Sequence, residues 1–303
     1  MMKYLKILCS LLTLGLVLKA KAQQDPHFST YMYNLSVVNA AAAGTGGGLE
    51  LYGGIRSQWV GGTDGPKTQT FNVNKAISDK VGLGLNVVND DIFIVSDLSL
   101  FADFSYKVQI SPLTNLFLGL KAGGSFLNID FNSLGVEGDA LLSGNFSKFN
   151  PNVGLGAYMK GDNYFVSLSV PRILKSDRFE DAGGTASEAS NRAHFFLGGG
   201  YVVNLNYDWS LKPQTMAKIV AGAPLSLDLT LLAQYTDQFE FGLNYRFDES
   251  VTGIATFVFS DFGRVGFAYE YTTTDIQDHN NGTIEIFAKF LLRDKINRVP
   301  RGY

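Results

Sequence analysis

The period of this chain limits its fold more than any other feature. Over much of its length apolar residues recur at every second position, the pattern of strands with one apolar and one polar face. Gln238 to Phe247 sets Phe239, Phe241, Leu243, Tyr245 and Phe247 against Gln238, Glu240, Gly242, Asn244 and Arg246. Arg264 to Tyr271, Leu225 to Tyr235 and Val81 to Val87 repeat the alternation, and Leu49 to Trp59 does so less cleanly. Fourteen segments can be marked, at 49–58, 68–76, 80–89, 95–108, 115–129, 151–160, 163–170, 192–204, 209–219, 225–236, 238–247, 251–260, 263–272 and 282–292. Most are about 9–11 residues long, the length of a tilted strand crossing a membrane. The segment at 209–219 is the weakest, because it contains Pro213.

Composition narrows the class. Charged residues are 17%, against about 25% in ordinary soluble domains. Hydrophobic residues are 46%, with 33 Gly, 23 Phe and 14 Tyr. Disorder needs low hydrophobicity and high charge, so it is excluded. A formal charge of −3 with no basic stripe excludes a nucleic-acid binder.

Residues 1–22 read as a signal peptide. Lys3 and Lys6 precede a short apolar run, Ile7 to Leu18, and Ala20-Lys21-Ala22 fits the small-x-small cleavage rule. The mature chain is expected to begin at Gln23. Cleavage removes Cys9, the one cysteine, and four lysines, which moves the formal charge from −3 to −7. An exported chain without cysteine has no disulfide staples. The remainder contains no apolar run of about 18 residues, so no membrane helix is expected. A membrane form must then be a closed barrel, since only that satisfies every backbone group without helices.

The connections support the barrel. Exported barrels keep short turns in the periplasm and longer loops outside. The connection between segments 6 and 7 is Gly161-Asp162, and later ones of the same parity are Asp237 and Asp261-Phe262. The opposite parity holds 59–67, 130–150, 171–191 and 273–281, although 220–224 and 248–250 are short. The polar faces carry Glu50, Arg56, Asp103, Lys107, Lys121, Asp228, Glu240, Arg246, Arg264, Glu270, Glu285 and Lys289. Both signs together fit a hydrogen-bonded, partly plugged lumen better than a one-sign ion filter.

Residues 23–48, QQDPHFSTYMYNLSVVNAAAAGTGGG, do not alternate. Phe28, Tyr31 and Tyr33 stand in a polar stretch ahead of Ala40 to Ala43 and a glycine-rich turn. This mixture suits an N-terminal plug or a cap on the periplasmic mouth. Residues 293–303 are expected to form a periplasmic tail.

Four stretches, in order, carry a family resemblance. Gln24 to Asn34 resembles the mature amino terminus of the PorP/SprF family. Asn39-Ala40-Ala41-Ala42-Ala43-Gly44 stands where that family has Asn-Pro-Ala-Tyr-Ala-Gly. Arg56-Ser57-Gln58-Trp59-Val60-Gly61 with Gly65-Pro66-Lys67-Thr68 is similar to its Arg-x-Gln-Trp…Gly-x-Pro-x-Thr signature, with Gly and Pro adjacent here. Asn281 to Ile286 is similar to its closing Asn-Gly-x-His-Glu-Ile strand, with Ile284 where His is usual. The resemblance implies an integral outer-membrane protein of the type IX secretion and gliding machinery of Bacteroidota. It implies partners in the periplasmic ring of that apparatus and a large secreted adhesin cargo, through its carboxy-terminal domain. Its motifs make Phe28, Tyr31, Tyr33, Asn34, Asn39, Arg56, Trp59, Gly65 and Pro66 the partner-binding candidates.

No catalytic set is visible. His27, His194 and His279 lack metal-ligand spacing. There is no G-x-S-x-G elbow and no P-loop. Asp90, Asp91, Asp275 and Asp278 do not form a calcium loop. The expectation is therefore an all-β, up-and-down antiparallel transmembrane barrel of about 14 strands (12–16), over 49–292. It is non-enzymatic, free of cofactors and metals, and integral to the outer-membrane lipid. The other reading is a porin or hydrophobic-ligand transporter, which would need an open lumen.

Overall fold

The computed structural model describes residues 27–61, 65–134, 145–174, 193–275, 277 and 280–292. The expected signal peptide, residues 23–26, the tail at 293–303, Asp278, His279, and residues 135–144 and 175–191 of the connections at 130–150 and 171–191 lie outside the described residues.

Fifteen strand segments form one antiparallel sheet. They are β1 (Leu49–Ser57), β2 (Lys67–Ala76), β3 (Val81–Ile92), β4 (Val95–Ser111), β5 (Thr114–Asp130), β6 (Asn145–Lys160), β7 (Tyr164–Val170), β8 (His194–Tyr201), β9 (Val203–Asn204), β10 (Trp209–Val220), β11 (Ser226–Tyr235), β12 (Phe239–Arg246), β13 (Ser250–Ser260), β14 (Gly263–Thr272) and β15 (Thr283–Leu292). Each pairs with its sequence neighbour, save that β8 and β9 do not pair with each other, and β1 pairs with β15, which closes the ring. Only Val202 separates β8 from β9, and both pair with β10, so the two make one stave and the barrel has 14 strands.

The period-two pattern places the side chains. Phe239, Phe241, Leu243, Tyr245 and Phe247 stand on the exposed outer face of the ring. Glu240, Asn244 and Arg246 are buried on the inner face. The same holds around the ring, with Asn72, Asn86, Asp103, Lys121, Thr252 and Glu285 buried inside. This is an outward apolar band around a polar interior, the arrangement lipid requires. The register then sets charges directly opposite one another. Arg56 faces Glu285, Asp103 faces Lys121, and Asp228 faces Arg246. Opposed cross-strand neighbours are close enough to pair.

Two prolines sit within strands for the same reason. Pro213 lies in β10 between its pairings with β8 and with β9, so there it pairs with β11 alone. Pro151 lies in the part of β6 beyond Leu155, the last residue paired with β7, and there pairs with β5 alone. A residue without an N–H is tolerated where one side of the ladder is open. The stretch Asn145–Asn150 was expected to be loop, but β6 begins at Asn145, opposite Asp130 of β5.

The connections fall into two sets at opposite ends. One end carries the short turns 77–80, 112–113, 161–163, 205–208, 236–238 and 261–262. The other carries 58–66, 131–144, 171–193 and 273–282, together with three short links at 93–94, 221–225 and 247–249.

Candidate functional site

Residues 27–48 do not join the sheet. They form three single 3-10 turns, Tyr31–Tyr33, Leu35–Val37 and Ala40–Ala42, and contact inward-facing side chains from most of the ring. Their hydrogen bonds reach β2, β3, β4, β5, β6, β7, β11, β12, β13, β14 and β15, so the segment occupies the lumen. It runs from the long-connection half, where it meets Glu270 and Glu285, down to Gly44–Gly48 and into β1 at the short-turn end.

Four clusters hold it. In the first, Ser29 and Thr30 donate their backbone N–H groups to Glu285 at 2.8 and 3.1 Å, and the Thr30 hydroxyl donates to Glu285 at 2.7 Å. The Ser29 hydroxyl donates to Glu270. Behind these contacts lies an ion network. Arg56 pairs with Glu270 at 3.2 Å and with Glu285, while Arg246 grips Asp228 through Nε and Nη2 at 2.7 and 3.2 Å and reaches Glu270 at 3.4 Å. Forked guanidinium–carboxylate contacts are directional, so they fix both partners.

The second cluster surrounds Tyr33. Its hydroxyl donates to Glu240, which also pairs with Lys212 at 2.7 Å and Arg264 at 3.3 Å. Its ring stacks on Phe287 at 4.7 Å, and the Arg264 guanidinium lies 5.4 Å from the ring centre. Burial and the neighbouring Glu240 carboxylate push the Tyr33 phenol well above its ordinary value, so it stays a donor.

The third cluster is an amide relay. Asn34 donates to Asn72, Asn72 to Asn86, and Asn86 to Asp103. Asp103 pairs with Lys121 at 2.7 Å, and Lys121 donates to the Ser36 carbonyl at 3.1 Å. The chain of donors ends on the segment where it began.

The fourth cluster is small against small. Ala40, Ala41, Ala42 and Ala43 are all buried. Asn39 caps their turn by accepting from the Ala41 N–H at 3.0 Å, and it donates to Ser167 and the Ala157 carbonyl at 2.8 and 3.0 Å. Gly119 of β5 and Gly156 of β6 form the wall here. A methyl at Gly119 would meet the Ala41 nitrogen and the Ala40 carbonyl carbon, and one at Gly156 would meet the Asn39 side chain. Only glycine lets the segment approach this closely.

His27 stands at the start of the segment. Its imidazole pKa is lowered well below 6.5 by loss of water first, then by the Arg246, Lys218 and Arg56 cations and by His194. The unfolded chain therefore binds more protons than the docked one as the medium turns acidic. Docking is strongest above the free imidazole's pKa and weakens as pH falls below it. The protection of the amides at 28–34, taken as exchange relative to the intrinsic rate at each pH, should fall between about pH 7.5 and pH 5.5, and His27→Gln should flatten that dependence. Equal pH dependence in the two proteins would rule out His27 as the cause.

The sequence candidates divide by place. Tyr31, Tyr33, Asn34, Asn39 and Arg56 point into the lumen contacts just described. Phe28 is half-buried and lines a small cleft with Thr30, Tyr52, Arg56 and Glu285. Trp59, Gly65 and Pro66 lie in the β1–β2 connection. There Gln58 donates to the Pro66 carbonyl at 2.9 Å, and Val60 donates to the Gly282 carbonyl at 2.9 Å and accepts from the Asn281 N–H at 2.8 Å, both in the β14–β15 connection. Trp59 takes a left-handed backbone with φ of 52° and is 40% exposed. Lys212 and Asn72 were not marked from sequence, Asn86 stood there only on the polar face of the alternation at 81–87, and the glycine wall was not marked. Among the described residues no group of three or more His, Cys, Asp or Glu side chains is placed to hold a metal.

A cavity of about 740 Å³ remains beside the segment at the short-turn end, lined among others by Tyr31, Tyr33, Asn74, Tyr158, Phe165 and Gln214.

Solved barrels share the architecture. The CymD monoaromatic hydrocarbon channel aligns with a TM-score of 0.51 at 12% identity, covering 90% of this chain and 95% of its own. The Acinetobacter baumannii outer membrane protein Omp33 aligns at 0.48 and 10% identity, over 81% of this chain and 98% of its own. At such identities the likeness concerns the fold alone. No curated protein matches by sequence. The family described as type IX secretion system membrane protein PorP/SprF matches residues 20–290. With the strand ring it makes this an integral outer-membrane barrel, its short-turn end periplasmic. This chain belongs to the PorP/SprF family.

Proposed function

We propose that this barrel is a non-enzymatic part of the type IX secretion and gliding apparatus, serving the secretion or surface attachment of a large adhesin through protein contacts. The observation that carries this reading is the lumen: its polar face is engaged by the chain's own residues 27–48. A diffusion pore keeps its lumen for solute, whereas here the segment acts as a plug and the barrel as an anchored platform. Trp59, Gly65 and Pro66, in an external connection, form the contact surface for cargo. Periplasmic ring components meet the short turns.

Two measurements test the reading. Purified wild-type protein in planar bilayers should give no large, stable open current; such currents would favour a porin or ligand transporter instead. Deleting residues 24–44 should abolish cargo secretion while the barrel still reaches the outer membrane. Normal secretion after that deletion would end the role given to the plug.

A further inference from the structure

The wall of the ring is uneven at its external end. β5 and β6 rise together to Asp130 and Asn145, but β7 stops at Val170, opposite Leu155. Backbone parity says which groups of β6 turn to the open side. The Ile173 N–H donates to the Val153 carbonyl at 2.9 Å from the β7 side. Every second residue before Val153, namely Pro151, Phe149 and Ser147, therefore turns its backbone the same way. Among the described residues, the N–H and C=O groups of Ser147 and Phe149 and the Pro151 carbonyl meet no partner there. The chain leaving β7 does not fill the gap. Asn152, on the inner face, accepts from the Ile173 and Leu174 N–H groups at 2.9 and 3.0 Å and donates to the Leu174 carbonyl at 2.8 Å. Arg172 reaches Ser99 of β4 at 2.9 Å and lies 5.6 Å from the Phe101 ring centre. The connection is drawn inward over the lumen, off the edge of β6. That edge is accessible. Phe126 and Phe149 are opposed on the outer face, with ring centres 4.8 Å apart and exposures of 45% and 50%. The next outward pairs are Asn128 with Ser147 and Asp130 with Asn145. The apolar band ends at the two phenylalanines, so the free backbone groups lie at its external border.

We propose that this edge takes up an extended strand of another polypeptide at the external surface, which adds to the sheet beside β6. A row of open N–H and C=O groups is a template for such a strand. The side chains set its pattern. A residue opposite Phe149 exchanges both backbone bonds with it and points outward, so it is apolar. Its neighbours point inward, on the side of Lys148 and Asn150, so they are polar. A second copy of the barrel does not fit. Barrel strands tilt by about 35–45°, and copies related by an axis along the membrane normal would cross these edges at about twice that angle. Paired strands differ by only about 20–25°. The chain's own residues 175–192 are a poor match, because Phe179 and Thr185 are their only aromatic or β-branched residues. The proposal rests on the reading of the chain as a platform for protein partners. Its test is a binding measurement, so failure here leaves the secretion experiment standing.

The probe is a fluorescent heptapeptide alternating threonine with valine, added to the full barrel in detergent. It is used unmodified, N-methylated at its valines, or N-methylated at its threonines. Valines placed beside Phe149 turn their N–H groups to the edge, and the threonines turn theirs away. Saturable binding of the unmodified peptide is expected. The valine-methylated form should bind at least about tenfold more weakly than the threonine-methylated one, a difference of about 1.4 kcal/mol. Phe149→Pro removes a donor from the open side and leaves the bonds to β5, so it should weaken binding to a similar degree, whereas Phe149→Leu should retain it. The Ser147 and Phe149 amides should exchange without protection in the free barrel and slow when peptide is added. Equal affinity for the two methylated peptides would overturn the proposal. So would parental affinity in Phe149→Pro, or no saturable binding of the unmodified peptide. Protection of the Ser147 and Phe149 amides in the free barrel would also overturn it, by assigning the edge to the chain itself.

Discussion

Gly119→Val should turn a silent barrel into a conducting one. The glycine faces the lumen where the alanine turn of the segment at 27–48 presses on β5. A valine there is driven into the Ala40–Ala41 peptide itself, not into a side chain that could rotate away. The peptide cannot retreat, because Asn39 ties the same turn to Ser167 and the Ala157 carbonyl. Overpacking costs about 1–3 kcal/mol where neighbours can yield, and the cost rises where backbone is pinned. The turn should leave its seat and water should enter. Bilayer recordings of the variant should then show stable openings absent from the parent. Gly156→Val should act alike through Asn39. A variant that shows the heat-modifiable gel shift of a folded barrel yet stays silent would refute this account of the seal.

Glu285→Ala should release the other end. Its carboxylate takes bonds from the Ser29 and Thr30 amides, the Thr30 hydroxyl and Arg56. Removing one partner of a buried ion pair costs about 3–5 kcal/mol, mostly because the remaining charge is left without compensation. Arg56 keeps Glu270, so the loss should fall at the low end of that range and on the segment more than on the ring. Chymotrypsin added to the detergent-solubilised variant should cut at Tyr31 and Tyr33 at least about tenfold faster than in the parent, since about 1.4 kcal/mol is one decade in opening. Strand amides in β12 and β13 should keep their protection. Unchanged cleavage would show that the network does not hold the segment.

The ring was legible because a period of two assigns faces with local information alone. Glu240 and Arg246 share a strand face whatever that face meets, so their pairing across β11 to β14 follows once the neighbours are known. The reading faltered where the outer face is not apolar. In the middle of β10 the outward positions are Pro213, Thr215 and Ala217, between apolar Trp209 and Ile219 at its ends, so Lys212 and Gln214 did not stand out as lumen residues. It also faltered at 145–150, read as part of the 130–150 connection, although the strand runs through Pro151 along an open side of the ladder. The segment itself reads as a plug or a cap on the periplasmic mouth, but where it would sit was not legible. Its seat depends on Gly119 and Gly156, which lie on separate strands and have no local signature distinguishing them from other strand glycines. Ala40 to Ala43 acquire meaning only against that wall.

The lock at Ser29 and Thr30 also bears on how the barrel is made. Its acceptors are Glu270 on β14 and Glu285 on β15, separated from the segment by 241 to 256 positions along the chain. Contacts that distant form late, after the intervening chain has been gathered. Until β15 meets β1, Ser29 and Thr30 have no carboxylates to grip, and the segment of an unfinished barrel is exposed to periplasmic proteases. Closure of the ring and burial of the segment are thus one event, and survival of the amino-terminal region becomes a record that assembly was completed.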